Sequence, residues 1–146
     1  MKPYSESCEQ NKAVILTIIK PLLTEQTSLL EIGSGTGQHA VYFADAMPHI
    51  HWHTSDRQVS LAGINQWLAD ARAKKMNVSN VQPPLLLDVM QENWPELSVD
   101  AVFSANTLHI MSAHEVERLF KQAAKLLQKG GVFLVYGPFN YQGQYT

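Results

Sequence analysis

Apolar residues along the chain fall into two alternating patterns, stretches at spacings of three and four and short continuous runs. Val14, Ile15, Ile18, Ile19, Leu22 and Leu23 follow the first, predicting an amphipathic helix that Pro21 kinks or ends. Leu29-Leu30-Glu31-Ile32 follows the second and reads as a strand entering a glycine-rich turn. Ala40, Phe43 and Ala44 then share one helical face, Ile50 to Ser55 reads as a second strand, and Leu61, Ile64, Trp67, Leu68 and Ala71 mark another helix. A third strand, Leu85-Leu86-Leu87, is expected to start only after Pro83-Pro84. Ala101-Val102-Phe103 is the fourth. The next helix has the clearest start, with Ser112 and Glu115 spaced as a capping box. Its stripe is Val116, Leu119, Phe120, Ala123, Leu126 and Leu127, Gly130 stands where a left-handed cap belongs, and Val132 to Tyr136 reads as the fifth strand.

Strands alternating with helices predict an α/β, doubly wound parallel sheet covered on both faces, and the continuous apolar strands fit two buried faces. No linker or repeat interrupts the 146 residues, so residues 1–146 are read as one domain. Ligands of such sheets bind beyond the carboxyl ends of the strands. The Gly33–Gly37 loop, Asp56, Asp88, Asn106 and Tyr136 all fall at such ends, and that coincidence outweighs any single motif.

Composition narrows the classes. Eleven basic against 13 acidic residues give a net charge of −2, without the basic surplus of a nucleic-acid binder. Cys8 is the single cysteine, which leaves no intrachain disulfide framework and suits a reducing cytoplasm. No apolar run approaches a membrane span, and the first dozen residues carry no signal-peptide pattern. A cytoplasmic protein with a small-molecule substrate, and neither nucleic acid nor membrane as partner, is expected.

The strongest motif is Glu31-Ile-Gly33-Ser34-Gly35-Thr-Gly37, an E-x-G-x-G-x-G between strand and helix. Glycines permit the turn and let a ligand approach closely, and a helix start favours an anionic group. In S-adenosyl-L-methionine that group is the methionine carboxylate. The dinucleotide fingerprint, G-x-G-x-x-G, would need Gly or Ala where Gln38 stands, so the spacing favours the methyl donor over NAD. Asp56, 19 residues after Gly37, is placed to accept ribose hydroxyls, although NAD enzymes use an acid there too. Asp88 is placed to accept the adenine amino group, with Val89 donating its N–H to the ring; an isolated Asp also commonly caps a turn.

With the Asn106–His109 strand end, these residues resemble class I methyltransferases. More narrowly, the chain resembles the small methyltransferase-like family known as domain of unknown function 938. That resemblance rests on Asn11-Lys12 opening the first helix, Gly37-Gln38-His39-Ala40, Trp52 to Asp56, Asn93-Trp94-Pro95, Asn106-Thr-Leu-His109-Ile110 and Tyr136-Gly137-Pro138-Phe139. Gln10 and Ala13-Val14 depart from the family's usual Arg before the Asn and Pro after the Lys. The resemblance implies a Rossmann-like strand order 3-2-1-4-5 and S-adenosyl-L-methionine held through Glu31, Gly33, Ser34, Gly35, Gly37, Asp56, Asp88, Val89 and Asn106. It leaves the acceptor open. It also implies that a C-terminal helix and antiparallel hairpin are missing, so that either further chain or a homodimer covers the fifth strand.

Candidate catalytic residues are Asn106, His109 and Tyr136, with His109 as the base if the nucleophile must lose a proton. His109 shaping the pocket through a backbone bond is the alternative, and Tyr136 reads better as a pocket wall. His49, His51 and His53 alternate as metal ligands on a strand would, but their strand lies inside the proposed sheet and no fourth ligand is evident, so no metal is expected. Rival readings are a dinucleotide-binding oxidoreductase and a non-catalytic domain retaining the donor fold.

Overall fold

A computed structural model of the protein describes residues 2–105, 111–137, 140–141 and 144–145. Its centre is a five-stranded parallel sheet of order β3-β2-β1-β4-β5, as the resemblance implied. The strands are β1 (Ser28–Glu31), β2 (His51–Asp56), β3 (Val81–Leu86), β4 (Val99–Ala105) and β5 (Leu127–Tyr136). Helices α1 (Glu6–Leu22), α2 (Gln38–Ala46), α3 (Gln58–Ala73) and α4 (Ala113–Leu126) alternate with them. Two short strands, β6 (Asn140–Tyr141) and β7 (Gln144–Tyr145), pair antiparallel in a sheet of their own. None of the described helices is long and apolar enough to cross a membrane.

Two apolar clusters sandwich the sheet. On one face Leu29, Trp52 and Phe103 meet Ile15 and Ile19 of α1, Phe43 of α2 and Ile64 and Leu68 of α3. On the other, Leu30, Val102 and Phe133 meet Leu119 and Ala123 of α4. The first helix splits its predicted stripe. Ile15, Ile19 and Leu23 are buried, whereas Val14, Ile18 and Leu22 stay about half exposed. It also starts earlier than expected, at Glu6, where the Ser5 side chain accepts the Cys8 N–H; Asn11-Lys12 therefore sit inside the helix. Pro21 falls in its last turn, and the helix ends one residue later.

Two further expectations need correction. Pro83 and Pro84 lie inside β3 rather than before it. An edge strand tolerates residues without an N–H, and a bulge absorbs them: His53 pairs with Gln82, but Ser55 pairs with Leu85. Gly130 has the expected positive φ of 83° but does not cap α4, whose C-cap is Leu127. It belongs instead to a bulge between the Val99–Leu127 and Ala101–Val132 pairs. The neighbouring Gly131 leaves no room for a Cβ, which would stand 2.6 Å from Leu127 Cδ1 and 2.9 Å from two carbonyl oxygens. The Ser112–Glu115 capping box is formed in full.

Phe43 is the hinge of the aromatic core, its ring 5.9 Å from Trp52, 5.8 Å from Phe103 and 5.1 Å from His39. Phe43→Ala is expected to cost about 3–5 kcal/mol by urea unfolding. A loss below about 1 kcal/mol would mean the core can close over the gap.

Candidate functional site

The order 3-2-1-4-5 makes β1 the strand from which the chain departs in opposite directions, and sheets of this kind bind ligands beyond the carboxyl ends of the strands at that point. Glu31 is the last residue of β1 and is buried. Its Oε1 accepts from Trp52 Nε1 at 3.1 Å and from the Ser34 hydroxyl at 2.8 Å. Burial pushes its carboxyl up from 4.5 to about 7, the bonds from Trp52 and Ser34 oppose that rise, and the charge of Asp56 adds to it. Ser34 and Ser55 bond reciprocally: the Ser34 N–H donates to the Ser55 carbonyl at 2.8 Å, and the Ser55 N–H donates to Ser34 Oγ at 3.0 Å. The Ser55 hydroxyl donates to the Glu31 carbonyl. The glycine loop is thus fixed to the ends of both β1 and β2.

Asp56 ends β2 and reaches the same loop. One carboxylate oxygen accepts the Gly35 N–H at 2.8 Å and the other accepts the Arg57 N–H at 2.7 Å. Its carbonyl accepts the Leu87 N–H at 2.9 Å, which brings the Asp88–Val89 step beside it. Asp88 caps its own turn: Oδ1 accepts the Met90 N–H and its carbonyl accepts the Gln91 N–H, each at 3.0 Å. A cavity of about 580 Å³ opens where Arg57, Val59, Leu86, Asp88, Gln91 and Asn93 converge. Glu31, Ser34, Gly35, Asp56 and Asp88 therefore form one connected rim.

Gly37 initiates α2 with φ 95°, and a Cβ there would approach Ile64 Cα to 3.2 Å and Trp67 Cβ to 3.3 Å. It is the close-packing position between loop and α3. The helix start is less open than the motif suggests, because Thr36 Oγ1 accepts the Gln38 N–H at 3.1 Å.

Gln38 has a role that sequence reasoning missed. Its side-chain amide is buried and clamps Ser5 from both sides, accepting the Ser5 N–H and donating to the Ser5 carbonyl. It also donates to Glu9 Oε2 at 2.8 Å. One residue on, His39 Nε2 lies 3.0 Å from Asn11 Oδ1, and burial lowers its ring pKa to about 4, so the ring is neutral at ordinary pH. These contacts lash the N-terminal segment to the start of α2, beside the loop. In the sequence Trp52 likewise stands out only as part of a motif. A glutamate in an apolar strand needs a buried donor, and that need was the available signal for it.

Tyr136 pairs with Ala105 at the end of β5 and is half-buried against the cluster that α1 to α3 cover. It belongs to the same end of the sheet, but β4 stands between its strand and β1. Asn106 and His109 lie outside the described residues. The three histidines do not share one strand: His49 precedes β2 and its Nε2 lies 3.0 Å from the Leu23 carbonyl. Among the described residues no group of three or more metal-ligating side chains is assembled.

The family model described as "Protein of unknown function (DUF938)" matches residues 2–146, and the chain belongs to that family. The structure is similar to the apo S-adenosylmethionine-dependent methyltransferase SibL, with TM-score 0.78 and 24% identity over 92% of this chain and 37% of that one. Human N-acetylserotonin methyltransferase in complex with SAM matches with TM-score 0.71 and 18% identity, over 89% of this chain and 34% of that one. The CcbJ methyltransferase from Streptomyces caelestis gives 0.68 and 22%, over 86% and 48%. The chain thus spans between a third and a half of these proteins' length. At such identities the likeness shows the fold, that of class I methyltransferases.

Glu31 makes the first test of the site. Its folded pKa, about 7, exceeds the 4.5 of an exposed glutamate. Between those values the folded state holds more protons than the unfolded state, so stability falls as pH rises from 4.5 through 7. At about 1.4 kcal/mol per unit, the loss from this group is about 3 kcal/mol. Glu31→Gln, which still accepts from Trp52 and Ser34, is expected to remove that falling contribution, so that in urea titrations across the window the variant's stability rises with pH more steeply than wild type's, buried His39 contributing with the opposite sign. An unchanged slope would show that Glu31 titrates normally.

Proposed function

We propose that this protein binds S-adenosyl-L-methionine across the ends of β1, β2 and β3 and transfers its methyl group to a small-molecule acceptor. The observation that carries the reading is the connected rim of Glu31, Ser34, Gly35, Asp56 and Asp88 around the glycine loop. The donor set suits a ligand with positive charge at one end and a nucleoside at the other. Among the described residues no Lys, Arg or His bonds to the buried Glu31 carboxylate, and a cationic ligand would relieve its burial. Gly33 and Gly35 turn the loop at positive φ with no Cβ to hold a ligand away, while Gly37 packs against α3. Asp56 accepts one backbone N–H at each carboxylate oxygen and keeps further lone-pair capacity for ribose hydroxyls. Asp88 and Val89 would read the base, next to the cavity lined by Arg57 and Asn93.

The bound donor supplies a methyl group already activated on a sulfonium. What the protein adds is positioning of the acceptor in line with it. We assign Asn106 to the donor side of that site, His109 to proton removal from the acceptor and Tyr136 to its wall. The solved relatives named as methyltransferases support methyl transfer in general. Gln38 argues against the dinucleotide reading, because its side chain fills the position of the third glycine and is committed to Ser5.

Isothermal titration is expected to show binding of S-adenosylhomocysteine and none of NAD; NAD binding of equal or greater strength would refute the proposal. Asp56→Ala is expected to weaken S-adenosylhomocysteine by about 1.5–3 kcal/mol, the scale of hydrogen bonds to a charged group. His109→Ala should keep that affinity and lower kcat by about 10²–10⁴ once an acceptor is in hand. Loss of donor affinity in a folded His109→Ala protein would reverse the roles assigned here.

A further inference from the structure

The turn that follows β3 is held by a side chain from a distant helix. Arg118, half-buried on α4, donates from Nε to the Val89 carbonyl at 3.0 Å. Its base on the helix is rigid: the next residue, Leu119, is fully buried, and the capping box closes the helix start. The bond acts on a peptide that is already engaged at its other end, since the Met90 N–H of that peptide donates to Asp88 Oδ1 at 3.0 Å. The preceding peptide is pinned too, because the Asp88 carbonyl accepts the Gln91 N–H at 3.0 Å. Both peptide planes flanking Val89 are therefore fixed. The direction of the Val89 N–H, which lies in the first of those planes, is fixed with them. Without Arg118 the second plane would hang on one bond to a short side chain in an irregular segment.

We propose that Arg118 is a positioning residue for base recognition: by holding the Val89 carbonyl it aims the Val89 N–H and the Asp88 carboxylate at the base of the bound nucleoside. The inference rests on the donor reading above and adds to it a residue of α4, 29 positions away from the step it controls. Arg118 does not touch the ligand in this scheme. Its effect is on selectivity, because a fixed donor–acceptor pair rejects a base with the wrong pattern, whereas a loose one adapts to it.

The test compares two ligands on the purified protein, S-adenosylhomocysteine and S-inosylhomocysteine, in which the 6-amino group is replaced by a carbonyl and N1 carries a proton. Wild type is expected to prefer the adenine ligand by about a hundredfold, and Arg118→Ala to reduce that preference about tenfold. A merely structural role would weaken both ligands equally and leave the ratio intact, and that result overturns the inference. So does a wild-type protein that binds both equally. Arg118→Met, which keeps the aliphatic stem and has no N–H to donate to the Val89 carbonyl, gives the same ratio test if the alanine variant does not fold. Failure of wild type to bind S-adenosylhomocysteine at all would instead remove the donor reading itself, an outcome distinct from an unchanged ratio.

Discussion

The site depends on one buried carboxylate. Glu31 stands at the end of the central strand with its Oε1 taken by an indole N–H and a hydroxyl, and among the described residues no cation bonds to it. Burying an acid this way favours the neutral form and costs stability when the group ionises. Its three partners make the cost structural. Trp52 fills the aromatic core, Ser34 belongs to the glycine loop, and Ser55, bonded to the Glu31 carbonyl, ties that loop to β2. One acid thereby connects core, loop and adjacent strand end. A glutamine could satisfy the same donors, so satisfying the fold does not require the charge. An acid kept where an amide would serve the fold is the ground on which Glu31 is proposed to face the ligand.

The same logic separates the two roles of Asp56. In the structure it is a clamp on Gly35 and on the first peptide of the link into α3. A ribose would add to those bonds rather than replace them, because each carboxylate oxygen accepts more than one donor. The ligand would then arrive at a loop already held in shape, which lowers the ordering cost of binding.

Most of the architecture was legible because its signals are local. Helix spacing, the Ser112–Glu115 box and the run from Glu31 to Gly37 are read within a few residues of one another, and they placed all four helices and all five strands of the large sheet. The misreadings have a common cause in tertiary context. A Pro-Pro pair ordinarily marks a turn, but the edge strand β3 takes Pro83-Pro84 into its interior with a bulge at that point. Gly130 just past a helical stripe fits a left-handed cap on local grounds, but its positive φ serves a long bulge in β5 instead. The start of α1 was missed because its apolar stripe begins two turns after its cap. In the site, the strand-end acids were visible from topology alone. Trp52, Gln38 and Arg118 were not, since their partners stand 21, 33 and 29 residues away.

Gln38 shows how a single position can exclude one ligand class while serving another. A dinucleotide fold places a glycine or alanine there so that the helix can pack against the first strand. Here the tight approach is transferred one residue earlier, to Gly37 against α3, and position 38 is released for a side chain. The residue used is the one whose amide both donates and accepts, and it meets the N–H and C=O of Ser5 as a neighbouring strand would. Glutamate in its place would lack the donor and would face Glu9, which already accepts from the amide. Leucine would leave the backbone of Ser5 unsatisfied in a half-buried place. The fourth residue after Ser5 is Glu9, so the same amide grips both ends of the first turn of α1. The glycine loop and the N-terminal segment are therefore fixed by neighbouring residues of one short stretch, which is why a motif read for its glycines also determines where the start of α1 lies.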